Sequence, residues 1–137
     1  MSDLDRAKAA LAGHTLCLVR EEDVLVFDGR GIAPMMGLLE EGRGLSGYSA
    51  ADKVVGKAAA MLFFKAHIKE LYAETISKAA ADFLQGKGLP FSYGRMTERI
   101  VNREGTGWCP MESAVLTTDD AEEGYLLLKQ RLASMKK

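Results

Sequence analysis

Neither sign of charge predominates in this sequence, no apolar run is long enough for a membrane, and cysteine is scarce. Lys and Arg number 18 against 19 Asp and Glu, which leaves no global field to draw in nucleic acid or an anionic membrane. Any anion site must therefore be local. No apolar stretch approaches the roughly 18 residues that would suggest a membrane span. Residues Met1 to Arg6 are polar and charged, unlike a signal peptide. The two cysteines, Cys17 and Cys109, stand far apart, one in an apolar strand pattern and the other beside a glycine-rich loop. Free thiols in a cytoplasmic protein are the expectation. His14 and His67 have no metal-ligand spacing to a Cys, Asp or Glu, so no metal is expected. No repeat, linker or low-complexity tract interrupts the 137 residues, a length suited to one domain with one core.

What is present is an alternation of helical and strand periods. Leu4, Ala7 and Leu11 recur at helical spacing before Gly13. Thr15 to Arg20 and Val24 to Phe27 read as a hairpin around the charged turn Glu21-Glu22-Asp23. Pro34 suits the first turn of a helix running to about Glu41. A short strand from Tyr48 to Ala51 is expected to hand over to a helix from Lys53 to about Ala66. Ile68 to Ala73 predicts a further strand and Ser77 to Gln85 a helix closed by Gly86 and Gly88. Pro90 to Tyr93 and Arg99 to Asn102 predict late strands. Helices from Cys109 to about Val115 and from Asp119 or Asp120 to about Ser134 end the chain, the latter with a Tyr125, Leu128, Leu132 stripe. The expected fold is a single α/β domain in three α-β-α layers, its sheet mostly parallel with a leading antiparallel hairpin.

Ligands of open α/β sheets bind outside the carboxyl ends of the parallel strands, and three strand-to-helix junctions carry the unusual residues. Asp28-Gly29-Arg30-Gly31 joins flexible backbone to one cation, as a loop approaching a phosphate would, or as a solvated turn. Asp52-Lys53-Val54-Val55-Gly56-Lys57 would put Asp52 at a helix N-cap and two lysines in its first turns. Cations there oppose the helix dipole, which asks for compensation by Asp52 or by a bound anion. In Asn102-Arg103-Glu104-Gly105-Thr106-Gly107-Trp108-Cys109-Pro110-Met111-Glu112, Pro110 fits the first helical position. Cys109 then becomes the N-cap, where backbone donors favour a thiolate, and Glu112 falls at the third position, able to reach back to its own helix start. The bland alternative for Cys109 is a small buried cap. Trp108 could stack on a flat ligand or close the core.

These three stretches give the chain a resemblance to a family catalogued only as a domain of unknown function, whose fold is similar to that of the cytidine deaminases. The resemblance spans about residues 15 to 115 and implies a deaminase-like fold without deaminase chemistry. A zinc deaminase requires a His or Cys followed two residues later by Glu at one helix start, and P-C-x-x-C at another. The corresponding stretches here read Asp52-Lys53-Val54 and Cys109-Pro110-Met111-Glu112.

The expectation is thus a small-molecule-binding α/β protein, with no cofactor implied and an anionic, nucleotide-like ligand. Cys109, Asp52 and Lys53 are the candidate catalytic groups, and Arg30, Lys57, Asn102, Arg103, Thr106 and Glu112 the candidate ligand contacts. An enzyme using Cys109 as nucleophile is the second possibility. A structural or regulatory homodimer is the third.

Overall fold

The computed structural model describes residues 2–29, 31–100 and 109–135. Its elements are α1 (Asp3–Ala10), β1 (Leu16–Arg20), β2 (Asp23–Phe27), α2 (Ala33–Glu40), β3 (Ser49–Val55), α3 (Lys57–Lys65), β4 (Glu70–Ser77), α4 (Lys78–Lys87), β5 (Phe91–Thr97), α5 (Pro110–Ala114) and α6 (Ala121–Met135). The five strands lie in the order β2-β1-β3-β4-β5. The β1–β2 hairpin is antiparallel, and β1 also runs antiparallel to β3. β3, β4 and β5 are mutually parallel.

Side-chain alternation along the strands divides the interior into two unequal parts. Cys17, Val19 and Ala51 face α1, which covers them with Ala7 and Leu11. Leu16, Leu18, Ala50, Leu71 and Ala73 face the opposite way, into the larger core shared by α2, α3, α4, α5 and α6. A helix apolar on all sides must be covered on all sides. Accordingly, every residue of α3 from Lys57 to Phe63 is buried between the sheet and α6. The two helices meet closely: a Cβ on Gly124 would lie 2.5 Å from the Met61 sulfur. On α6, Leu128 is fully buried, and Tyr125 and Leu132 pack against the same core. That stripe therefore serves the fold. Among the described residues no helix is long and apolar enough to cross a membrane.

Several expected boundaries need correction. The strand expected to end at Ala51 runs on to Val55, and the helix expected from Lys53 begins at Lys57. The reason is lateral: Asp52 pairs with Leu16 on one side and Ala73 on the other, and the parallel ladder to β4 continues through Val55. Two ladders and the β-branched pair Val54-Val55 outweigh local helical preference. By the same pairing β4 extends to Ser77 and β5 to Thr97. Arg99 and Ile100 belong to no strand, and Asn102 lies outside the described residues.

Candidate functional site

A largely apolar cavity of about 300 Å³ opens at the carboxyl end of β3 and draws its walls from all three junctions. Gly31 and Ile32 come from the loop after β2, Asp52 to Val54 and Gly56 from the β3–α3 passage, and Cys109, Met111 and Glu112 from α5. Thr15 and Ile100 complete it. The Thr15 hydroxyl lies 2.9 Å from the Phe27 carbonyl and 2.7 Å from that of Gly29, tying the first loop to the start of β1. Gly31 has φ +59°, a left-handed conformation that glycine adopts without strain.

Asp52 does not cap α3. It sits within β3, on the face that looks toward the larger core and the cavity. Burial pushes its pKa up to about 7, opposed only in part by hydrogen bonds from the backbone amides of Val54 and Lys53. Lys53, next along the strand, projects to the other sheet face, where its ammonium stands 4.0 Å from Glu74.

The N-cap of α3 is Gly56, which has no side chain to offer. The capping is done from a distance by Glu112. Its two carboxylate oxygens accept the backbone N–H groups of Lys57 and Ala58, each at 2.8 Å. Burial raises the Glu112 pKa, while these amides and the Lys57 charge act against that rise. The expected reach back of Glu112 to the start of its own helix is therefore replaced by a cap on a helix distant in sequence. Gly56 makes room for it, since a Cβ there would fall 2.5 Å from the carboxylate carbon. The backbone at Gly56 is ordinary extended chain, with φ −97° and ψ −178°, so the requirement is steric alone.

Lys57 belongs to the structure rather than to the cavity. Its ammonium pairs with Asp119 at 2.9 Å and donates to the Leu116 carbonyl at 3.4 Å, with only 11 % of its side chain exposed. Neither lysine of the second junction thus points its charge into the cavity. Cys109 is the N-cap of α5 as expected, and its backbone N–H donates to Ile100 at 3.1 Å. Its thiol makes no capping hydrogen bond, and the helix behind it is only five residues long, too short for a developed dipole. Arg30, Asn102, Arg103, Thr106 and Trp108 lie outside the described residues. Among the described residues no group of three His, Cys, Asp or Glu is placed to hold a metal.

The two thiols occupy contrasting places. Cys17 is fully buried beneath α1 and its pKa is raised by that burial, whereas Cys109 is half-buried on the cavity wall. Iodoacetamide at neutral pH should modify Cys109 and leave Cys17 intact in native protein, as read by peptide mass. Modification of Cys17 at a similar rate would mean that α1 opens readily.

Sequence spacing missed Thr15, Ile32, Ala58, Ala59, Ile100 and Met111 as wall residues. The apolar ones carry no chemical signature, and Thr15 reaches the site only because β1 pairs beside Asp52.

No curated protein matches the chain. A family model described as TM1506: Domain of unknown function (DUF1893) matches residues 7–132. Among solved structures, a DUF1893 family protein (TM1506) from Thermotoga maritima superposes with a TM-score of 0.83 at 27% identity, covering 98% of this chain and 91% of that one. This chain belongs to the DUF1893 family.

Proposed function

We propose that the chain is a small-molecule-binding protein and that its ligand enters the cavity at the end of β3. The carrying observation is the convergence of three loops, remote in sequence, on one apolar cavity holding a half-buried carboxyl group that no described side-chain cation neutralises. Cavities of that size and lining, with few polar groups, are the usual form of ligand sites. The proposal includes a cytidine-deaminase-like fold without zinc chemistry. It is supported by the close meeting of the α3 and α5 starts through Glu112, and by the absence of His or Cys from Gly56-Lys57-Ala58 at the α3 start. Lys53 and Lys57, two of the cations expected to meet an anionic ligand, are engaged elsewhere.

The test is a thermal-shift screen of small metabolites against the native protein and Val54→Trp. Val54 is 50% exposed on the cavity wall, so a bulkier residue can obstruct the opening without entering the core. A ligand at 100 times its dissociation constant should add about 2.7 kcal/mol to native stability. A compound that stabilises the native protein but not the variant supports the site. A uniform lack of response, or equal response of both proteins, removes it. Cys109 shares the cavity with Asp52, which keeps a thiol-dependent reaction as the second proposal. For that proposal, Cys109→Ser should retain binding while abolishing conversion of the bound compound.

A further inference from the structure

We propose that the cavity selects a planar cationic nitrogen compound, of the amidine, guanidine or protonated-heterocycle class, whose N–H groups meet the Asp52 carboxylate between apolar walls. The inference rests on the binding function proposed above and specifies its ligand. Three observations point the same way. The ionisable side chains along the described walls are Asp52, Lys53, Cys109 and Glu112, and the only cation among them, Lys53, carries its charge to the opposite face near Glu74. Each Glu112 oxygen already accepts an α3 amide, which leaves Asp52 as the other carboxyl group on the described walls for a ligand to meet. The remainder of the wall, including Ile32, Val54, Ala59 and Met111, is apolar and suits the faces of a flat ring.

The surroundings explain why Asp52 has no cationic side chain against it among the described residues. From α3, Lys57 turns away to Asp119, and beside Thr15 the His14 ring nitrogen lies 2.7 Å from the Asp28 carboxylate. From α5 come Cys109 and the amide-bound Glu112, and from β4 Glu74 lies on the far side of the sheet. An anion entering this space would add to two carboxyl groups. A planar cation can donate two parallel N–H bonds to one carboxylate, a geometry stronger than a single neutral hydrogen bond.

Binding of such a cation requires ionised Asp52, so it is linked to a proton. A group with a pKa of about 7 is ionised to roughly one part in eleven at pH 6 and ten parts in eleven at pH 8, so affinity should rise about tenfold across that interval. Benzamidine, benzamide and benzoate supply one ring with a cationic, neutral or anionic substituent, and benzamidine stays protonated throughout the range. Calorimetric titration of the full chain should give the order benzamidine, benzamide, benzoate. Benzamidine should bind about tenfold more tightly at pH 8 than at pH 6, with release of a proton to buffer at pH 6. Asp52→Asn should weaken benzamidine at pH 8 by at least about tenfold and flatten its pH dependence. Should that variant not fold, the wild-type pH profile and proton release decide alone. Preference for benzoate, or a flat wild-type profile, overturns the inference and leaves a ligand site of another chemistry. Binding by none of the three probes overturns it outright, and failure of the metabolite screen as well would remove the binding function with it.

Discussion

Glu112→Ala should lower stability by roughly 3 to 4 kcal/mol, because it strips the α3 start of both acceptors at once. Each buried amide left without a partner costs about 1 to 3 kcal/mol, and the removed side chain leaves space beside the cavity. Helix α3 is the hub of the larger core, so the loss should appear as lower cooperative stability rather than local fraying. The diagnostic is Gly56→Ser. In the native protein the new Cβ would lie 2.5 Å from the Glu112 carboxylate carbon and 2.6 Å from both oxygens, so the substitution should destabilise. In the Glu112→Ala background that obstruction is gone, and serine at an N-cap can accept a helix-start amide, which is worth about 1 kcal/mol. The same substitution should therefore reverse sign with its background. Denaturant unfolding of the four proteins measures the coupling. Additive effects would show that Glu112 and Gly56 do not act on a common helix start.

The cap also shows what sequence could and could not disclose. The hairpin, the helix opening at Pro34 and the cap position of Cys109 follow from turn residues and from proline at the start of a helix, which act over a few residues. The family resemblance draws on three stretches from each of which described residues line one cavity. Local patterns failed where a distant partner decides. Asp52 resembles an N-cap in the sequence, yet ladders to Leu16 and Ala73 hold it in a central strand and move the helix start to Lys57. Glu112 stands where a capping box would place it, but its amides belong to a helix 55 residues earlier in the chain. Lys57, attractive as an isolated charge, is claimed by Asp119, 62 positions later by the numbering (119 − 57). Five of the singled-out residues, Arg30, Asn102, Arg103, Thr106 and Trp108, lie outside the described residues.

Asp52→Asn should make the protein more stable at pH 8 and leave its stability nearly unchanged at pH 4. The unfolded chain releases the Asp52 proton near its ordinary value of 3.8, whereas the native state holds it until about pH 7. Below pH 4 both states are protonated and the group contributes no pH dependence. Between pH 4 and 7 the native state binds more protons than the unfolded state, so native stability falls as pH rises, by about 1.4 kcal/mol per unit. Above pH 7 both are ionised and the accumulated cost, roughly 4 kcal/mol, is constant. Asparagine keeps the shape and the polarity but has no proton to lose, so it should escape this cost, a gain of roughly 10 °C in melting temperature at pH 8. The difference between variant and native protein isolates Asp52, because Glu112, also raised by burial, titrates in both. An equal gain at both pH values would instead point to better packing, and no gain at pH 8 would mean that the carboxylate is well solvated or paired. A cation seated on Asp52 should offset the same cost, so the ligand that stabilises native protein at pH 8 should leave Asp52→Asn largely unaffected.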